Sequence, residues 1–345
     1  MKELKEIIKH YEENEGRLRS ALACIVQVNG SSYRKPGARI LLFENGEFTG
    51  SISGGCLDGD ALKKAQKVIY NGRPQVVRYD TTNENESAIG LGLGCQGIID
   101  VLIQPLDDRQ FEIDQLKRIV DTRVPLVMVQ AINNKELYHS TLFNESEIAN
   151  INDNGLMTAV KECFITKKSI LANVESEQYS IQYYAPSIQL VICGHQYDSL
   201  ILSEIAERIG WQTIIYGKLQ KIHYKGPITK NCIENTNPLP QPDDYTAYII
   251  MSHDIDTDVR NLNKALRLKA PYIGLLGPVN RRDKIYEALK DIFNIDELLH
   301  SIHTPIGLDI GARTPEEIAI AIIAEVNMFF TKTSGQKLTR IKGGL

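Results

Sequence analysis

No two of the six cysteines (24, 56, 95, 163, 193 and 232) stand close enough to form a CxxC pair, which excludes a zinc ribbon and a thioredoxin-type redox motif. Neither charge dominates. With 39 Lys and Arg against 43 Asp and Glu the formal charge is -4, so nothing draws the chain to nucleic acid or to an anionic membrane surface. The opening MKELKEIIKHYEENEGRLRS is charged throughout and lacks the apolar core of a signal peptide. No stretch approaches the roughly 20 apolar residues that span a bilayer. The expectation from these absences is a cytoplasmic protein without nucleic-acid or membrane partners.

What is present supports two domains, since 345 residues at 43% hydrophobic can bury substantial cores. Leu4, Ile7, Ile8 and Tyr11 recur at helical spacing, predicting an amphipathic helix over about 2–15. ALACIVQV reads as a strand, and ARILLF, ENG and EFTGSIS as a hairpin turning at Asn45-Gly46. A helix from Cys56 to about Tyr70 follows, then VVRYD and the strand IIDVLIQPL. Over 110–185, the runs PLVMVQAI, ELYHSTLF, GLMTAV and YSIQYYA read as antiparallel strands that extend the first domain, 1–185.

After Pro186 the period changes. QLVIC (189–193), QTIIY, TAYIIM and PYIGLL are apolar along their length and alternate with helical stretches, the pattern of a parallel sheet covered on both faces. Residues 218–242 read as a loop. Thr314-Pro315-Glu316-Glu317 carries a capping-box pattern opening a final helix, 315–328. The expected fold is α/β: a mixed α/β N-terminal domain followed by a Rossmann-like parallel-sheet domain over 187–330.

The glycine fingerprint of dinucleotide binding is incomplete. Gly194 follows the first strand of the parallel sheet, but Gln196 stands where a second glycine lets the backbone approach a pyrophosphate, and Tyr216-Gly217 replaces the acidic residue that reads a ribose. Another anionic ligand, or a purely structural turn, fits this crevice as well. His195 could donate to a phosphate or be satisfied by backbone. His253 falls at the same sheet edge, next to Asp254, whose simplest role is a helix cap. Asp254, Asp256 and Asp258 alternate without the central glycine and terminal acid of a calcium loop. In GLLGPVNRR, Gly274 and Gly277 allow close backbone approach, and Arg281 and Arg282 suit phosphate oxygens or simply a solvated helix face.

Cys24 and Cys193 lie in apolar runs and read as small buried hydrophobes. Cys56 differs: in SISGGCLDGD, Ser53, Gly54 and Gly55 lead into a helix whose amino end favours the thiolate, with Asp58 placed to cap, orient or carry a proton. Cys95 sits in GLGLGCQG beside Gly94, glycines that bring backbone close to a ligand or another loop. The two thiols could meet at one soft centre or be inert. The loop from Gly30 to Gly37, with Ser32, Arg34 and Lys35, can clasp a phosphate or serve as a solvent-facing connection.

Taken together, GSSYRKPGARILL, GSISGGCLDGD, GLGLGCQGIIDVLIQPL, IIMSHDIDTD, PYIGLLGPVNRR and IHTPIGLDIGARTPEEIAIAIIAE resemble the xanthine dehydrogenase accessory family of the XdhC/CoxI type, over about 18–106 and 187–326, with 110–185 the variable part. The resemblance implies a protein that binds the molybdenum cofactor, promotes its sulfuration with a cysteine desulfurase, and helps place it in a molybdenum hydroxylase client. It implies Cys56 as the leading group near molybdenum or transferable sulfur, with Cys95 second. Arg34, Arg39 and the 52–58 loop would contact the pterin phosphate. Gly194, Asp198, His253, Gly274, Gly277 and Arg281 would line a second crevice, where a nucleotide is the open question, and Asp309, Gly311, Arg313 and Thr314 would form the junction before the last helix. Two other classes stay open from the residues alone: an NAD(P)-dependent oxidoreductase using the parallel sheet, and a noncatalytic scaffold with inert cysteines. A homo-oligomer is also left open.

Overall fold

The computed structural model describes residues 1–14, 17–81, 97–106, 110–132, 138–218, 231–294, 300–337 and 339. They fall into two compact units, Met1–Pro186 and Ser187–Leu345.

The first unit holds two antiparallel sheets. One has the order β3-β2-β1-β5-β4, from β1 (Ser20–Gly30), β2 (Arg39–Phe43), β3 (Phe48–Gly50), β4 (Gln75–Asp80) and β5 (Gly97–Pro105). β2 and β3 form the expected hairpin, with Gly46 at φ +94° in its turn. Side chains alternate across β2. Ile40 and Leu42 pack with the helix α2 (Asp58–Asn71), whereas Leu41 and Phe43 pack with α1 (Lys2–Asn14) and α3 (Phe111–Asp121).

The second sheet, β7-β6-β9-β8, comprises β6 (Leu126–Ala131), β7 (Thr141–Phe143), β8 (Ile170–Val174) and β9 (Glu177–Tyr184). The strand expected at GLMTAV is corrected here: the run lies in the helix α4 (Asn154–Thr166), started by the Asp153 carboxylate, which accepts the Leu156 amide at 2.8 Å. α3 is not among the expected elements either, although Ile113, Leu116 and Ile119 recur every third residue and are all buried.

The second unit is a five-stranded parallel sheet, order β12-β11-β10-β13-β14, built from β10 (Gln189–Cys193), β11 (Gln212–Gly217), β12 (Cys232–Glu234), β13 (Thr246–Ile250) and β14 (Tyr272–Leu275). β12 falls in the stretch expected to be loop. The helices α5 (Tyr197–Arg208) and α8 (Pro315–Thr331) contribute to one core of this sheet, and α6 (Ile255–Arg267) and α7 (Val279–Leu289) to the other. The first crossover after β10 leads to β11 on one side, while β13 lies on the other, so the topological switch point falls between the ends of β10 and β13. α8 opens with the expected capping box between Thr314 and Glu317.

Candidate functional site

In the first unit, Asp58 turns its carboxylate back on the loop before α2. Oδ2 accepts Ser51 Oγ at 2.8 Å, and Oδ1 accepts Ser53 Oγ at 2.8 Å and the Ile52 amide at 3.3 Å. The Ser53 oxygen in turn accepts the amides of Gly55 and Leu57, each at 3.0 Å. Gly55, at φ +104°, has the left-handed backbone that a side chain would oppose. This fixed turn delivers Cys56 immediately ahead of Leu57, the N-cap of α2, as a free thiol half-buried against the Ile40 and Leu42 core. Asp58 therefore orients the loop, both oxygens facing inward.

The loop between β1 and β2, which contains Ser32, meets this turn. A Cβ placed on Gly54 would lie 3.8 Å from Tyr33 Cδ1, so the tyrosine ring rests against Gly54. At the other end of the same loop, a Cβ on Gly97 would lie 2.4 Å from the Ser31 carbonyl oxygen, a distance only glycine tolerates. Gly97 is also clamped to Thr81, whose hydroxyl donates to its carbonyl at 2.7 Å. Gly94 and Cys95 lie outside the described residues.

The arginines are placed differently from the expectation. Arg34 pairs with Glu3, whose other oxygen accepts the Ser51 amide at 3.0 Å, so its charge is already engaged. Arg39 is 2% exposed. It shares a face of β2 with Leu41, away from Cys56, and donates to the Gly37 carbonyl at 2.7 Å, to Gln182 Oε1 at 3.1 Å and to the Tyr184 hydroxyl. Burial pulls its pKa down, but Cys24, Tyr184 and Glu112 hold the guanidinium above its ordinary value. It ties the two sheets of the first unit together instead of lining the Cys56 turn. A cleft of about 390 Å³ opens beside the loop, lined by Glu3, Leu4, Tyr33, Arg34, Lys35 and Tyr184 among others. A larger one, about 800 Å³, lies at the opposite end of α2, around Lys67, Asn71 and Arg73.

In the second unit, Gly194, His195, Asp198 and His253 gather at the switch point. A Cβ on Gly194 would meet Ser199 Oγ at 2.4 Å and the Met251 carbonyl oxygen at 2.6 Å, and one on Gly217 would meet His195 Cβ at 2.8 Å. Asp198 Oδ1 accepts the Ser199 amide at 2.8 Å and Oδ2 lies 2.6 Å from His253 Nε2. A carboxylate thus holds one of the first amides of α5, where a phosphate would otherwise be received. His253 is 53% exposed in its side chain and sits at φ +60°, a backbone conformation unusual for histidine.

Arg281 bonds Asp258, which also accepts the Ser252 amide at 3.0 Å. A Cβ on Gly277 would lie 2.6 Å from Arg281 Cδ, so this glycine gives the arginine its path. Gly274 is inside β14 with Ile306 packed on it, a Cβ there falling 2.1 Å from Ile306 Cδ1, and does not line the crevice. A cleft of about 340 Å³ runs instead along Gly277, Asp309 and Gly311. Sequence reasoning misses Asp258 as the partner of Arg281, though an acid on the buried stripe of α6 with Leu262 and Ala265 is a readable signal.

Cys24 and Cys193 are buried, as their apolar runs predict, and burial pushes the Cys193 thiol well up. Among the described residues no group of three or more His, Cys, Asp and Glu could hold a metal ion, and no helix is long and apolar enough to cross a membrane.

Residues 15–80 match the XdhC and CoxI family, and residues 190–326 match the XdhC Rossmann domain. A Bacillus subtilis protein, named as a probable subunit of xanthine dehydrogenase, is 24% identical over 322 residues, covering 90% of this chain and 93% of that protein. An Escherichia coli protein named molybdenum cofactor insertion chaperone PaoD is 22% identical over 307 residues, covering 89% and 82%. A crystal structure described as a xanthine dehydrogenase, from Bacillus halodurans, shares the fold at a TM-score of 0.71 and 26% identity, covering 97% of this chain and 98% of that one.

Proposed function

The chain belongs to the XdhC/CoxI family of accessory proteins, and from that premise we propose that it is a molybdenum-cofactor chaperone that binds the cofactor, assists its sulfuration and passes it to a xanthine-dehydrogenase-type hydroxylase. The observation that carries this reading is the Cys56 turn: a half-buried free thiol, held ahead of a helix amino end by Ser53 and Asp58 and adjoining the Tyr33 loop. A half-buried thiol so held is reachable by a sulfur donor without being loosely displayed. Ser53 and Asp58 orient this thiol. The cofactor is cargo here, and its molybdenum and sulfur chemistry belong to it. A cysteine desulfurase is the sulfur source in this reading, and the hydroxylase client receives the product.

The test is anaerobic purification with a cofactor source, followed by metal and pterin measurement on the wild-type chain and on Cys56→Ala. Cofactor at a substantial fraction of one per chain, with client activation lost in the variant, is the expected result. Cofactor content no higher than on an unrelated control protein would overturn the reading, and full client activation by Cys56→Ala would remove the thiol from it.

A further inference from the structure

Tyr33 is 72% exposed, although it is a large aromatic on a loop braced by Pro36 and Gly37. So little burial gains the fold almost nothing, and its hydroxyl has no partner among the described residues. It is also the shared wall of two features. Its ring rests against Gly54 in the Cys56 turn, and the same residue lines the cleft of about 390 Å³. That volume is within the range of small-molecule sites.

The charges beside it sort themselves. Arg34 is taken by Glu3 and Arg39 is buried on the far face of β2. Lys35, exposed and lining the same cleft, has no ion-pair partner among the described residues. It is a side-chain cation that can accept an anion there without first giving up another bond.

We propose that Tyr33 and Lys35 set the direction in which the cargo binds: a planar heteroaromatic ring stacks on Tyr33, its phosphate lies in the cleft at Lys35, and its metal end points toward Cys56. This placement rests on the functional reading above and assigns the phosphate to Lys35 in place of Arg34 or Arg39. An aromatic face accepts any flat ring, and the lysine ammonium supplies a point charge to the phosphate.

The test titrates two fluorescent probes into the full chain: an oxidised pterin carrying a side-chain phosphate, and the same pterin without it. Wild type is expected to bind both, the phosphorylated one more tightly. Tyr33→Ala should weaken both by about tenfold, the size of one ring stack, while Tyr33→Phe stays within about twofold of wild type. Lys35→Ala should weaken the phosphorylated probe alone, by about fivefold. Because both side chains are exposed, unchanged circular dichroism of the variants is expected and would be checked alongside. Binding by wild type that Tyr33→Ala leaves unaltered, or that Lys35→Ala weakens equally for both probes, overturns the placement alone. Failure of wild type to bind either probe overturns the cargo reading with it.

Discussion

Arg281 reaches across Gly277 to place Nη2 2.7 Å from Oδ2 of Asp258, a carboxylate with 0% exposure. The pair joins the amino end of α7 to α6 and, through Ser252, to the end of β13. It is an internal brace of the switch-point wall.

Removing one member should leave the other charged and stranded. Arg281→Ala is expected to destabilise the second unit by about 3 kcal/mol, read by urea denaturation followed through Trp211, the single tryptophan. Asp258→Asn combined with it should recover part of the loss. A change under about 1 kcal/mol for Arg281→Ala would mean that the pair is solvated and not a brace.

Ser53 makes a sharper case for the Cys56 turn. Ser53→Ala deletes the acceptor of two amides and a donor to Asp58, so a cost of about 1–2 kcal/mol and faster alkylation of Cys56 are expected. Site-resolved mass spectrometry after brief iodoacetamide treatment measures this. Cys163, whose thiol burial pushes up to about 12, serves as the slow internal reference. Unchanged labelling of Cys56 would show that the turn holds without the hydroxyl.

The Asp198 carboxylate predicts poor phosphate binding at α5. Neutralising it with Asp198→Asn frees the helix end of a repelling charge, and affinity for NAD should rise by about three- to tenfold, following a helix-terminus effect of about 1 kcal/mol. Calorimetry on both proteins decides it, and equal affinities would place any nucleotide phosphate away from this helix.

Glu325 links stability to pH. Burial raises its pKa, but the bond to His303 Nδ1 at 2.8 Å and the Gly307 amide outweigh this, leaving it below the ordinary 4.5. A depressed carboxylate contributes stability that is fully present above its unfolded pKa and is lost as pH falls through the folded value. Acid unfolding of the second unit should therefore steepen below about pH 4.5, and Glu325→Gln should flatten that limb while lowering stability at neutral pH. Identical acid limbs for the two proteins would contradict it.

Much of this architecture is legible in the residues. The apolar strands of the second unit and the Thr314 capping box announce themselves through periodicity and local chemistry, which do not depend on tertiary context. GLMTAV misleads because a short apolar run fits either period, and the deciding residue, Asp153, lies outside the run. The family pattern offers Arg39 as a ligand contact, yet its alternation with Leu41 and Phe43 already points inward. The meeting of Tyr33 with Gly54, and of Ser31 with Gly97, joins segments distant in sequence. Glycine content signals a close approach, but only the fold names the partner.

Arg39 also limits how far the first unit can be trimmed. Residues 15–80 carry the family match, while the groups that solvate this guanidinium include Gln182 and Tyr184, both on β9. Excising 110–185 as a dispensable insert would remove most of its acceptors and strip the cover from Leu22, Leu41 and Phe43, which pack with α3 and β6. The stretch outside the family match thus completes the core of the part inside it.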